Sequence, residues 1–255
     1  MTLHHRSDGP VGAARTVVFV NSLGTNLELW DDQAAALAPR FRVVRFDQRG
    51  HGRSPAPPGP YTVAGLGGDL LELLDHLELE RVSLCGLSLG GAVAIWLAVN
   101  APARIDRLAL CCTAAQFGTP EMWREREALV RAGGLEELTE LTLGRWFTDA
   151  FRAAEPATVA RFRAMMAAMP AEGYAGCCAA LETFDLRSQL GSITAPTLVV
   201  TGSGDPSITP ARGDELAAAI PGARHVVLDP ASHLANIEQP AAFTRALLEH
   251  LDATP

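Results

Sequence analysis

Short apolar runs alternate along this chain with segments in which apolar residues recur at helical spacing. The runs that predict strands are 16–20, 41–46, 81–85, 107–112, 196–202 and 223–228. The segments that predict helices between them are 27–37, 63–77, 91–98, 210–220 and 241–251. Strands that alternate with helices are typical of an α/β fold, so we expect a doubly wound, mostly parallel sheet.

The pattern changes between residues 113 and 190, where no stretch predicts a convincing strand. Apolar residues there follow helical spacing in four stretches, which are 121–132, 135–147, 156–169 and 173–183. Ligands bind doubly wound sheets beyond the carboxyl ends of the strands, and we expect the helical block to lie over that edge. The predicted organisation is an α/β core made of 1–112 and 191–255, with a helical lid or cap at 113–190.

Composition narrows the classes of function. The formal net charge of −8 argues against nucleic acid as a partner. No apolar run reaches the roughly 18 residues that span a membrane, and we see no signal peptide. The five cysteines fit neither a disulfide framework nor zinc-ligand spacing, so we expect a reduced, cytoplasmic protein. All 21 basic residues are arginine, which excludes chemistry that needs a catalytic lysine.

The segment from Gly86 to Gly90 has the pattern G-x-S-x-G, with Ser88 at its centre. A predicted strand precedes it and a good helix-forming stretch follows it from Gly91. A strand, a tight turn and a helix in this order form a nucleophile elbow, which exposes a serine hydroxyl above a helix N-terminus. We therefore predict that Ser88 is a nucleophile.

A serine nucleophile needs a base, and a carboxylate must orient that base. Of the seven histidines, only His233 lies in a loop between the last predicted strand and the last helix, where this architecture supplies its base. Asp205 follows the predicted strand at 196–202 and satisfies the chain order Ser, Asp, His. Asp229 is the rival acid, but its closeness to His233 favours a role in the turn.

Two backbone N–H groups must stabilise the oxyanion that forms during such a reaction. We predict that one comes from Leu89, the residue after the nucleophile. The other is predicted to come from Leu23, in the loop after the first long strand, where Asn21 and Ser22 shape the backbone.

The chain resembles the α/β-hydrolase family and, within it, the enol-lactonase branch. The segments that carry this resemblance are 21–25, 47–52, 59–62, 85–91, 145–147, 172–178 and 236–240. The resemblance implies that Ser88, Asp205 and His233 form a catalytic triad, without a metal or organic cofactor. It implies opening of a small anionic enol-lactone in the β-ketoadipate pathway of aromatic catabolism. Cys112 departs from the branch, which has asparagine there.

An anionic substrate needs a local cation, because the whole-protein charge repels it. We predict Arg145 in the lid as that cation, with Arg124 or Arg131 next in line, and Trp146 as a wall of the pocket. Ser22 is also predicted to contact the substrate. A carboxylesterase or a carbon–carbon bond hydrolase with the same triad remains open, as does a small-molecule receptor without catalysis. A homo-oligomer also remains open.

Overall fold

The computed structural model describes residues 2–253, which form a seven-stranded sheet in the order β1-β3-β2-β4-β5-β6-β7. Its strands are β1 His5–Asp8, β2 Thr16–Val20, β3 Arg42–Phe46, β4 Val82–Leu87, β5 Ile105–Cys111, β6 Thr197–Gly202 and β7 Arg224–Leu228. Every neighbouring pair is parallel except β1 and β3. This is the predicted doubly wound, mostly parallel sheet, with one antiparallel strand at its edge.

Helices connect these strands. In the α/β core they are α1 Asp31–Leu37, α2 Val63–His76, α3 Leu89–Asn100, α9 Pro210–Ala219, α10 Ala235–Glu238 and α11 Pro240–Asp252. Helix α2 contacts α3, and α1 contacts α11. The central strands β2, β4 and β6 are buried at every residue, as expected for a sheet that is covered on both faces.

Five helices occupy the connection between β5 and β6. They are α4 Pro120–Arg131, α5 Leu135–Trp146, α6 Asp149–Ala154, α7 Pro156–Ala167 and α8 Ala171–Glu182. The two ends of this helical insertion meet in an isolated bridge between Gln116 and Asp185, and the amide of Leu186 donates to the carbonyl of Ala115 at 2.9 Å. The insertion therefore leaves and re-enters the core at one place.

The described helices differ from the sequence prediction in several places. The short helices α6 and α10 were not predicted, because six and four residues are too few to show a helical period. Segment 27–37 is not one helix, since Leu27–Trp30 forms a 3-10 turn before α1 begins.

All five cysteines are buried and free of disulfides. Within residues 2–253, no helix combines the length and apolar character that a membrane crossing requires.

Candidate active site

Ser88 lies in the turn between β4, which ends at Leu87, and α3, which begins at Leu89. Its backbone has φ 56° and ψ −114°, a conformation that costs about 1–3 kcal/mol and is typical of functional sites. A Cβ on Gly90 would lie 2.2 Å from the carbonyl oxygen of Val20, so only glycine fits there. The observed geometry is that of the predicted elbow.

Two hydrogen bonds hold the strained residue in place. The amide of Ser88 donates to the carbonyl of Cys111 at 2.9 Å, and the hydroxyl of Thr113 donates to the carbonyl of Ser88 at 2.7 Å. A Cβ on Gly91 would lie 2.4 Å from the Thr113 side chain, so this glycine permits their close approach. The end of β5 and the residues that follow it thus support the elbow.

The structure brings His233 and Asp205 together. Nδ1 of His233 lies 2.7 Å from Oδ2 of Asp205, and both residues are buried. Oδ1 of Asp205 accepts from the amides of Ser207 at 2.8 Å and Ile208 at 3.0 Å, which fixes the carboxylate plane. Because Nδ1 is bound to the carboxylate, Nε2 of His233 is the nitrogen left to accept a proton.

The rival acid lies elsewhere. Asp229 is exposed, and its carboxylate accepts a hydrogen bond from the hydroxyl of Ser203. Ser88 and His233 line one cavity. The predicted nucleophile, base and acid therefore converge at the carboxyl ends of β4, β6 and β7, and their catalytic roles remain predictions.

The two predicted oxyanion donors also lie at this edge. Leu89 is the first residue of α3, so its N–H has no partner within the helix. Leu23 lines the cavity, and the next amide in its loop, that of Gly24, donates to Nε2 of His51 at 3.2 Å. His51 thus supports the loop that carries Leu23.

Two buried histidines are expected to make the folded protein less stable at acidic pH. Burial lowers the pKa of His51 to about 4, and burial, followed by Arg107 and Arg224, lowers the pKa of His250 to about 4. Their unfolded pKa is near 6.5. Between these values the unfolded chain takes up protons that the folded chain does not. Above about pH 6.5 the two histidines therefore do not reduce the free energy of unfolding. As the pH falls from 6.5 toward 4, each histidine lowers that free energy by roughly 3 kcal/mol.

Urea unfolding at several pH values between 7.5 and 4 measures this loss. His250→Gln removes one titrating group, so the slope of stability against pH becomes shallower than in the wild type. His76→Gln at an exposed position is the matched control and leaves the slope unchanged. If the free energy of unfolding depends on pH with the same slope in all three proteins, the prediction that buried His250 is neutral in the folded state is wrong.

The cavity has a volume of about 430 Å³ and receives side chains from both the core and the helical insertion. Its lining is Ser22, Leu23, Ser88, Phe117, Gly118, Met122, Trp123, Arg126, Thr142, Arg145, Trp146, Tyr174, Leu181, Pro206, Ser207, Ile208, Arg212 and His233. This lining contains three arginines and no carboxylate. Such a cavity suits a small ligand that is partly apolar and carries negative charge.

The predicted substrate contacts Ser22, Arg145 and Trp146 all line this cavity. The two reserve cations do not line it. Arg124 pairs with Glu121 and Glu182, and Arg131 pairs with Glu127 and Glu172. The structure therefore does not place Arg124 or Arg131 at this cavity, and both guanidinium groups already pair with carboxylates.

The loop that carries His233 is tied to the helical insertion. The hydroxyl of Ser232 donates to the carbonyl of Arg145 at 2.7 Å, and the amide of Leu234 donates to the carbonyl of Trp146 at 3.0 Å. Glu238 joins the same two segments: it accepts from the amide and hydroxyl of Thr148 at 2.9 and 2.7 Å, and from the amide of Ser232. Sequence reasoning gave Glu238 no role.

Glu238→Ala should lower the free energy of unfolding by roughly 2–4 kcal/mol, because three donors lose a buried acceptor. It should also lower kcat, since the His233 loop loses one of its attachments. Chemical denaturation and steady-state kinetics measure the two effects. Glu137→Ala, at an exposed position of α5, is the matched control. A variant as stable as that control would contradict this role of Glu238.

Cys112 lies beside the acid and the base. Its sulfur, a carboxylate oxygen of Asp205 and a ring nitrogen of His233 all lie within 4.8 Å of one another. Burial, followed by the charge of Asp205, raises the pKa of the Cys112 thiol well above its usual value. Without a metal the thiol is therefore a neutral neighbour of the acid and the base.

The backbone conformation at Cys112 suits asparagine, the residue that the resemblance leads us to expect at this position. Cys112 has φ 44°, in the left-handed region. Asparagine adopts this conformation more readily than most residues. Cysteine is therefore a strained substitute, and its thiol occupies space next to Asp205.

Comparisons with known proteins identify the family of this chain. The family model for the alpha/beta hydrolase fold matches residues 15–240. 3-Oxoadipate enol-lactonase 2 of Acinetobacter baylyi is 42% identical over 231 residues, covering 91% of this chain and 86% of that protein. 3-Oxoadipate enol-lactonase 1 of the same organism is 40% identical, covering 95% and 90%.

A solved structure is similar over almost the whole length. The crystal structure of the enol-lactonase from Burkholderia xenovorans LB400 superimposes with a TM-score of 0.96 at 46% identity, covering 98% of this chain and 96% of that one. The resemblance to the family is thus confirmed by sequence and by fold. This chain belongs to the alpha/beta hydrolase fold family.

Proposed function

We propose that this protein is a serine hydrolase that opens the lactone ring of 3-oxoadipate enol-lactone to give 3-oxoadipate. One observation carries the proposal: the cavity that contains Ser88 and His233 has three arginines and no carboxylate, on a chain with a net charge of −8. A lining of this kind selects a small anion that carries an ester. The named activity of the two Acinetobacter relatives supports the same substrate.

The first half of the reaction forms an acyl-enzyme. The hydroxyl oxygen of Ser88 attacks the lactone carbonyl while Nε2 of His233 takes the hydroxyl proton. Asp205 stabilises the imidazolium through Nδ1, and the amides of Leu23 and Leu89 stabilise the tetrahedral oxyanion. The ring C–O bond then breaks, and His233 returns the proton to the departing enol oxygen.

The second half releases the product. The enol remains tethered to the acyl group, because acid and alcohol belong to one molecule, so recyclisation competes until the enol becomes a ketone or water attacks. Nε2 of His233 takes a proton from that water, whose oxygen bonds to the acyl carbon. The Ser88 ester bond breaks and Ser88 regains its proton. This sequence requires no metal or organic cofactor.

The remaining assignments belong to the same proposal. Residues 113–190 act as a lid over the site, Trp146 and Ser22 form walls against the substrate, and Arg145 adds to the positive charge of the cavity that attracts the anionic substrate. Five free, buried cysteines support a reducing compartment, which we propose is the cytoplasm.

A spectrophotometric assay on enzymatically generated enol-lactone, run beside simple nitrophenyl esters, tests the proposal. We expect kcat/KM for the enol-lactone to exceed that for nitrophenyl acetate by at least one order of magnitude. Turnover of the nitrophenyl ester alone would instead indicate a general carboxylesterase. Binding without turnover of any ester would indicate a receptor.

A further inference from the structure

The three arginines of the cavity differ in the hydrogen bonds that their guanidinium groups already make. Arg212 donates through Nη2 to the carbonyl of Gln116 at 2.5 Å. Arg145 is exposed, and its guanidinium makes no hydrogen bond with the residues of 2–253. Arg126 is half-buried and donates through Nη2 to the hydroxyl of Thr142 at 3.0 Å, while its buried Nε has no partner. A buried donor without a partner is unusual and costs free energy, unless a ligand supplies the acceptor.

Aromatic side chains hold this guanidinium without neutralising it. Cζ of Arg126 lies 5.6 Å from the ring centroid of Trp123 and 5.5 Å from that of Tyr174. The indole of Trp123 is itself fixed, since its Nε1 donates to the carbonyl of Phe117 at 2.8 Å. Both rings are buried, so the cation has a defined position. Cation–π contacts favour the charge but do not remove it.

No anion within the described part of the chain pairs with Arg126. Burial raises the pKa of Tyr174, so its phenol stays neutral at physiological pH. The neighbouring Glu127 is engaged with Arg131 at 3.0 Å. The cavity lining offers no carboxylate either. The positive charge of Arg126 therefore faces the cavity without a counter-ion from residues 2–253.

We infer that Arg126 is the carboxylate subsite of this cavity. The inference rests on the proposed function and deepens it. A guanidinium presents a planar fork of N–H donors that matches a carboxylate, and Nε is part of that fork. Helices α4, α5 and α8 of the insertion supply Arg126, Thr142 and Tyr174, whereas the core supplies Ser88 and His233. The site thus takes a small ester or lactone whose carboxylate lies at the opposite end from the scissile carbonyl.

Two matched esters test the assignment without the natural substrate. They are the mono-p-nitrophenyl ester of glutaric acid and its methyl-capped, neutral counterpart. We expect the wild type to prefer the acid by roughly 10- to 100-fold in kcat/KM, the range expected for a charge-assisted contact. Arg126→Gln and Arg126→Met should bring this ratio close to one.

The control is Arg124→Gln, two residues away on α4 and outside the cavity, which should keep the wild-type ratio. Arg145→Ala and Arg212→Gln test the competing cations and should retain most of the preference. A wild-type ratio in both Arg126 variants, or its loss in Arg145→Ala alone, would overturn the assignment. A loss of activity on both esters, with a lowered melting temperature, would show only a structural role and would also overturn it.

Inhibition of the wild type gives a measurement that does not depend on the variants folding. Glutarate should compete with the neutral ester at least ten times more strongly than glutaramide, and equal inhibition by the two would contradict the subsite. Failure of the enol-lactone assay together with Arg126-dependent acid preference would remove the proposed substrate and leave the subsite in place. If Arg126→Gln still turns over the enol-lactone with the wild-type KM, the proposed substrate stands and the Arg126 subsite is ruled out.

Discussion

Ser88→Ala lowers kcat by roughly 10³-fold or more on every ester that the protein hydrolyses, because the only predicted nucleophile is lost. The backbone should tolerate the change. The φ of 56° is imposed by the surrounding elbow, and the bonds to Cys111 and Thr113 involve only the Ser88 backbone. Steady-state kinetics together with thermal unfolding separate loss of chemistry from loss of fold. Ser188→Ala, at an exposed position, is the control and should match the wild type in both.

The double variant makes the prediction sharper. His233→Ala should be about as severe as Ser88→Ala, because the base is useful only when there is a hydroxyl for it to deprotonate. Residues that act in one step are strongly non-additive, so the double variant should be little worse than either single variant. Fully additive losses would mean that Ser88 and His233 do not share a step.

The sheet and the convergence of Ser88, Asp205 and His233 could be predicted because both follow from local signals. Each of the three residues comes shortly after a predicted strand, and the carboxyl ends of parallel strands meet at one edge. The G-x-S-x-G pattern added the turn. The alternation of apolar runs was enough to place these residues on the same side of the molecule before any distance was known.

The substrate side of the cavity could not be predicted in the same way. Arg126 and Arg145 both lie in amphipathic helices, and helical spacing cannot tell which guanidinium is inserted between aromatic rings. That depends on how α4 packs on α8, which is set by contacts between residues far apart in sequence. The bond from Thr148 to Glu238 is another example, because its partners are 90 residues apart.

His51 illustrates the same limit on a smaller scale. Its position in a tight turn was visible in the sequence, but its bond to the amide of Gly24 joins two loops that follow different strands. The parallel pairing of β2 with β3 brings those loops together. The motif at 47–52 could therefore be recognised, whereas its support of the Leu23 loop required the folded sheet.

Asp205→Asn should lower kcat by roughly 10³- to 10⁴-fold with little change in KM, although the side chain keeps its shape. The amides of Ser207 and Ile208 both donate to Oδ1, so the asparagine carbonyl will occupy that position. Its NH₂ group then faces Nδ1 of His233, which must become an acceptor. The ring proton moves to Nε2, and the nitrogen that should take the Ser88 proton can no longer accept it.

Asp229→Asn is the matched control, since it makes the same change at the rival acid, which follows β7. Asp229 is exposed and bonded to Ser203, so its replacement should alter kcat by less than about twofold, as expected for a surface change. Thermal unfolding of both variants should stay close to the wild type, because each amide can still accept hydrogen bonds. A large loss of kcat in Asp229→Asn, with near-normal activity in Asp205→Asn, would mean that the short contact between Asp205 and His233 is not the one used in catalysis.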